Sequence, residues 1–169
     1  MNGVAGRADR AESAPATAGF TLVELAIVLV IFGIMSAVAL PGLNRFLRSV
    51  ELNGQVQNFA TTLRVVRQRA ITENNDYVAY WDAAARKIKW WDDDNNDGVK
   101  GGMEKSGETA ALPSWITVTN SSTNPFPSDT VVFTPNGAAS ISGSTIYSNA
   151  EGYQRSLSVV RPTGMVTVQ

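Results

Sequence analysis

The chain has 169 residues, a net charge of −1, and neither cysteine nor histidine. That length suits one domain rather than two. The missing residue types exclude disulfides, the usual zinc sites, cysteine nucleophiles and histidine-based triads. A near-neutral balance does not suggest a nucleic-acid protein, which is usually basic, and an exported domain of this size buries enough core without disulfides.

Residues 1–19 read as a leader: polar, with alanine and arginine, and without a helical apolar face. Within it Arg7 and Arg10 balance Asp9 and Glu12, so it carries no net charge. Gly19–Leu43, GFTLVELAIVLVIFGIMSAVALPGL, is an apolar run of membrane-spanning length. It exceeds the roughly 7–15 residues of a secretory signal core, and no small-x-small cleavage site follows it. Its single charge is Glu24. A carboxylate in lipid costs about 2.5–3.5 kcal/mol on insertion scales, so Glu24 is expected to have a partner.

The helix is predicted to run from Phe20 to Glu73, with 20–43 as its transmembrane half and 44–73 as an amphipathic half. Pro41 lacks an amide hydrogen and crowds the preceding turn, so a kink or local unwinding is expected over Val38–Pro41. Beyond it, Leu43, Phe46/Leu47, Val50, Leu52, Val56, Phe59, Leu63, Val66 and Ala70 recur at three- and four-residue steps. That stripe is expected to lie against a globular domain, with Arg45, Arg48, Glu51, Arg64, Arg67 and Arg69 largely off it, and the arginines Arg64, Arg67 and Arg69 read as a solvated face. Asn74-Asn75-Asp76 reads as the helix stop.

Residues 74–169 carry strand signals. Tyr77–Trp81 and Lys87–Trp91 form a predicted hairpin around Asp82–Arg86. Ile116–Thr119 and Val131–Thr134 are β-branched runs, Thr145–Ser148 and Arg155–Val160 flank the turn Asn149–Gly152, and Met165–Val168 follows the turn Arg161–Gly164. Tyr80, Trp81, Trp90, Trp91 and Trp115 are read as core rather than as a stacking platform. Asp93-x-Asn95-x-Asp97-Gly98, followed five residues later by Glu104, has the spacing of a calcium loop. Asp93, Asn95 and Asp97, the Val99 carbonyl and a bidentate Glu104 would complete an oxygen shell for Ca2+, with Gly98 at the sharp turn. The competing reading is a solvated acidic turn.

The string Gly19-Phe20-Thr21-Leu22-Val23-Glu24 resembles the processing site of type IV pilins and type II secretion pseudopilins. The resemblance implies cleavage after Gly19 by a prepilin peptidase and methylation of the new amino terminus at Phe20. It further implies pairing of Glu24 with the Phe20 amine of a neighbouring subunit, and a segment around Pro41 that melts when subunits pack. The leader departs from the family habit, being long and nearly neutral where pilin leaders are short and basic. Arg67-Gln68-Arg69-Ala70-Ile71, the Trp90–Gly98 strand and acidic loop, Val132-Phe133-Thr134-Pro135-Asn136-Gly137 and the Pro162-Thr163-Gly164 hairpin resemble the GspH/FimT branch of minor pilins and pseudopilins. The implied fold is α+β, pilin-like: a long N-terminal helix on an antiparallel β-rich domain.

The implied function is that of a non-enzymatic subunit that assembles into or primes a type IV pilus or secretion pseudopilus. Major pilin-like and DNA-binding minor pilin roles are the alternatives. The implied partners are other pilin or pseudopilin subunits, the prepilin peptidase, an inner-membrane assembly platform, and membrane lipid before assembly. Before assembly it would sit in the bacterial inner membrane as a single-pass protein with its C-terminal domain outside the cytoplasm. Afterwards it would lie in a periplasmic pseudopilus or a surface pilus. Nucleic acid is not an expected partner. In a DNA-binding relative Arg64, Arg67 and Arg69 would be the contacts, but phosphate neutralisation needs clustered cations in a basic chain.

Overall fold

The computed structural model describes residues 19–120 and 129–169, so the leader lies outside the described residues except for Gly19. One helix, α1 (Leu22–Glu73), is followed by eight strands: β1 (Asp76–Asp82), β2 (Lys87–Asp93), β3 (Ser106–Glu108), β4 (Thr117–Asn120), β5 (Thr130–Phe133), β6 (Gly143–Ser148), β7 (Gln154–Val160) and β8 (Met165–Val168). The chain divides into two compact units at Pro41/Gly42.

In the first unit every described residue of α1 is exposed, from Leu22 to Pro41. Such a face is not left bare in water, because exposed apolar patches of this size are normally covered. The segment is long and apolar enough to cross a membrane. The helix is unbroken through Val38–Pro41, so the local unwinding expected there is absent. Proline removes one ladder hydrogen bond, to the Ala37 carbonyl, and the apolar turns on either side retain theirs.

In the second unit the predicted stripe is buried in part. Leu52, Val56, Phe59, Ala60, Leu63, Val66 and Ala70 are buried, whereas Leu43, Phe46, Leu47 and Val50 stay exposed. Apolar packing of the β structure on the helix begins at about Leu52, while the Arg48–Glu151 ion pair, 2.7 Å, reaches one turn further back. Two antiparallel sheets supply the other side of the core, in strand orders β3-β2-β1-β5 and β4-β6-β7-β8. Phe59 joins them, its ring 5.9 Å from Trp81 of the first sheet and 5.8 Å from Tyr147 of the second. Helix α1 ends as its sequence requires. Asn74 takes a left-handed φ of 53°, and the Asn75 N–H donates back to the Ala70 carbonyl at 3.2 Å, a Schellman closure.

Three of the hairpins fall where turn chemistry puts them: β1–β2, β6–β7 and β7–β8. Strand β3 was not legible, because Ser-Gly-Glu carries no strand signal of its own. It pairs with β2 through Gly107 opposite Trp90. A Cβ at Gly107 would come within 2.5 Å of the Trp90 ring, so glycine is what lets the indole lie across the edge strand. Trp81, Trp90 and Trp115 pack on the main core as expected. Tyr80 and Trp91 instead meet edge-on at 5.5 Å and stand apart from that cluster, because residues one apart on a strand point to opposite faces.

Candidate functional site

The N-terminal site begins before the helix does. Gly19, Phe20 and Thr21 are non-helical and exposed, so the Gly19–Phe20 bond lies in accessible backbone ahead of the helix. Thr21 is the N-cap of α1 and Glu24 stands three residues on. The Glu24 N–H donates to Thr21 Oγ1 at 3.2 Å, and the Thr21 N–H donates to Glu24 Oε2 at 2.9 Å. This reciprocal pair is a capping box. The Thr21 hydroxyl also donates to Oε2 at 2.9 Å. One carboxylate oxygen thus serves the chain's own helix end, while Oε1 makes no hydrogen bond among the described residues. The T-x-x-E signal was present in the sequence beside the more conspicuous charge-in-lipid signal. Pro41 lies inside α1, far along the helix from Glu24.

The acidic loop is organised around Asp93. Its carboxylate accepts the N–H groups of Asp97 at 3.1 Å and Gly98 at 2.9 Å, and Gly98 has φ +72°. Asp97 accepts the Val99 N–H at 2.7 Å and the Asn95 amide at 2.8 Å. Glu104 accepts the Gly101 N–H. The carboxylates of Asp93, Asp97 and Glu104 therefore face backbone and amide donors. Among the described residues no three acidic side chains gather as a metal-holding group, so the convergence expected of them is not present. Strand pairing sets Asp76 opposite Asp93; burial first, and the Asp93 charge second, raise the pKa of Asp76. Lys105 closes the loop onto the helix end, its Nζ 2.6 Å from Glu73 Oε2 and 4.0 Å from the buried Asp92 carboxylate. The hydrogen bond from Lys105 leads in lowering the Glu73 pKa.

The helix arginines lie off the buried stripe, with Arg45, Arg48 and Arg64 exposed and Arg67 and Arg69 half-buried, and the last three also engage the β domain. Arg64 donates to the Val166 carbonyl from Nε and Nη2 at 3.2 and 2.9 Å. Arg67 donates from Nε to the Gly137 carbonyl at 2.8 Å. Arg69 lies over the Trp90 ring, 4.6 Å from its centroid, a cation–π arrangement. Carbonyls left over by turns and by the outer edge of β8 need donors, and a long guanidinium fork reaches them from the helix. The turn at Asn136-Gly137 and the turn at Thr163-Gly164 meet beneath Arg67. A Cβ on Gly164 would fall 2.1 Å from the Gly137 carbonyl oxygen and 2.8 Å from Arg67 Nε. Arginine 67 is therefore a staple between two glycine turns, a role that sequence spacing does not reveal.

These features match a known sequence family. The family described as type II transport protein GspH matches residues 55–163, and the prokaryotic N-terminal methylation motif matches residues 15–40. The chain belongs to the GspH family. With the methylation motif, this makes it a subunit of the minor pilin or pseudopilin kind. The minor pseudopilin EpsH from the type 2 secretion system of Vibrio cholerae shares its fold. At 13% identity, that match covers 70% of this chain and 96% of EpsH, with a TM-score of 0.51. The type IV minor pilin FimU of Pseudomonas aeruginosa is similar at 15% identity over 73% of this chain and 92% of FimU, with a TM-score of 0.49. No curated protein sequence matches the chain. The GspH match takes in Arg64, Arg67, the Gly137 turn and strands β1 to β7, and ends at Thr163, one residue before Gly164.

Proposed function

We propose that this GspH-family chain is a non-enzymatic priming or minor subunit of a secretion pseudopilus or type IV pilus. It is held in the inner membrane by residues 20–43, with its β-rich domain outside the cytoplasm. A prepilin peptidase cuts after Gly19 and Phe20 is methylated. An assembly platform then moves the subunit into the fibre, where Glu24 meets the Phe20 amine of a neighbouring subunit. The observation that carries this reading is the capping-box geometry. Glu24 Oε2 is engaged by Thr21, which leaves Oε1 for an incoming amine at the start of a fully exposed apolar helix. A charge pair in apolar surroundings is selective because an unpaired partner is costly there.

The test is peptide mass spectrometry on fibres sheared from the native cells, quantified against their membranes. An N-methylated Phe20 peptide in sheared fibres, far below the commonest pilin in amount, is the result expected of a minor pilin. The same peptide confined to membranes identifies a pseudopilin or priming subunit. Parity with the commonest pilin would make it a major subunit, and a chain retaining residues 1–19 would overturn the proposal.

A second reading concerns the acidic loop. The turn that a calcium loop needs is already formed, with Gly98 left-handed and Asp93 holding the N–H groups of Asp97 and Gly98. We infer that Ca2+ closes this loop by drawing Glu104 away from the Gly101 N–H. Calorimetric titration of the detergent-solubilised chain is expected to give binding heat and a raised melting temperature in millimolar calcium. Neither signal at that concentration would remove the calcium reading.

A further inference from the structure

One side chain sets where α1 begins. The Thr21 carbonyl accepts the first helical hydrogen bond, from the Leu25 N–H at 3.2 Å, while Thr21 and Phe20 stay outside the helix. Thr21 Oγ1 accepts the Glu24 N–H at 3.2 Å. In a helix that continued backward, the acceptor for that N–H would be the carbonyl four residues earlier, which belongs to Phe20. The threonine oxygen takes its place. Without that oxygen, at the edge of an apolar span where water is a poor substitute, the Glu24 N–H is satisfied by winding Phe20 into the helix. The next bond in that direction runs from the Val23 N–H to the Gly19 carbonyl, the carbonyl of the Gly19–Phe20 amide itself. Phe20 is also free of the usual hydrophobic staple. The residue before an N-cap often packs on the fourth residue of the helix, here Leu25, yet Phe20 is 91% and Leu25 58% exposed. Neither the Phe20 ring nor the amide before it is held by the helix.

We propose that Thr21 is the positioning residue for leader removal: by capping α1 it keeps the Gly19–Phe20 amide out of the helix and open to the peptidase. Hydrolysis adds water at the Gly19 carbonyl carbon and breaks its bond to the Phe20 nitrogen, leaving a Gly19 carboxylate and a Phe20 amine. A helical start opposes this, because the Gly19 carbonyl would then be bonded along the axis and shielded by the first turn. The proposal rests on the processing reading above and goes beyond it in naming the group that presents the bond. Glu24→Ala keeps the backbone N–H that Thr21 caps, so that variant is still cut.

Three variants of the full-length chain separate the cap from the shape of threonine. Thr21→Val keeps the outline but has no acceptor. Thr21→Asn caps in a different outline, and Thr21→Ser caps with less bulk. Each chain, in detergent, is incubated with solubilised membranes of the native cells as the source of peptidase. Leader removal is followed by mass spectrometry over a range of chain concentrations. Loss of a threonine cap shifts the equilibrium at the helix start by roughly two- to thirtyfold. Thr21→Ser and Thr21→Asn are therefore expected within about twofold of the unaltered chain, and Thr21→Val at least about threefold lower in kcat/KM. The loss is expected in KM with kcat retained, because a helical start only dilutes the competent chains. A loss confined to kcat, or Thr21→Val cut as fast as the unaltered chain, would overturn the proposal. Slow cutting of Thr21→Asn would also overturn it, since the peptidase would then be reading threonine itself. An unaltered chain left uncut at Gly19 would instead overturn the processing reading, and this inference with it.

Discussion

Glu24→Ala is expected to leave the chain inserted in the membrane and processed at Gly19, yet to deplete it from fibres by at least about a hundredfold. The arithmetic follows from two roles, the one the carboxylate has at the helix end and the one proposed for it in the fibre. It closes the N-terminal turn of α1 by accepting from Thr21, and loss of such a cap costs about 1 kcal/mol. In the fibre its removal would leave a neighbour's Phe20 amine buried without a counter-charge, which costs about 3–5 kcal/mol when one partner of a buried pair is deleted. At about 1.4 kcal/mol per factor of ten, the second term dominates.

Glu24→Gln separates the two. It keeps an acceptor for the Thr21 N–H and hydroxyl but carries no charge, so it is expected to assemble nearly as poorly as Glu24→Ala. Quantitative immunoblotting of sheared fibres against membranes, with both variants, is the measurement. Wild-type assembly of Glu24→Gln would mean that the cap, and not the charge, is what the fibre requires. Wild-type assembly of Glu24→Ala would remove the assigned role altogether.

Gly164→Ala is expected to destabilise the β-rich unit by about 3–4 kcal/mol, in the range reached only by named structural faults such as backbone strain or overpacking. Two terms contribute. Gly164 has φ +60°, where an L side chain costs about 1–2 kcal/mol. The new Cβ would also stand 2.1 Å from the Gly137 carbonyl oxygen. That atom is backbone and cannot swing aside, so the two turns must part and Arg67 loses its acceptor.

Gly152→Ala isolates the first term. Gly152 also has a left-handed φ, +88°, but a Cβ there would meet nothing within 4 Å. It is expected to cost about 1–2 kcal/mol. Thermal unfolding of the two variants in detergent, followed by circular dichroism, makes the comparison. A difference of about 2 kcal/mol corresponds to roughly 4–8 °C in a chain of this size. Equal losses would show that the two turns do not press on each other as described.

The contrast between these residues shows where sequence reading succeeds. Glu24 was legible because its signal is local. A lone charge in an apolar run, three residues after a threonine at the helix start, is conspicuous and caps the helix locally wherever the rest of the chain goes. The helix stop at Asn74, the hairpin turns at Asn149–Gly152 and Arg161–Gly164, and the apolar spacing from Leu52 to Ala70 are legible for the same reason. Backbone sterics and 3.6-residue periodicity act within a few residues. Gly164 and Arg67 were not legible in that way. They stand far apart in sequence, and only the packing of two turns beneath one helix makes glycine obligatory at one position and arginine a donor at the other.

The sequence by itself therefore determined the N-terminal methylation motif, the two chemical halves of the helix and the order of most strands, because each depends on neighbours along the chain. Tertiary structure decided the rest. It stopped the buried stripe at Leu52 rather than Leu43, because the sheets reach no further along the helix. It recruited Ser106–Glu108 as an edge strand by pairing, against weak propensity. It brought backbone carbonyls and an indole face within reach of Arg64, Arg67 and Arg69, so that these arginines clasp the β domain from the outer side of the helix. It directed the acidic loop's carboxylates onto backbone N–H groups, since those donors are the nearest partners once β1 and β2 have paired.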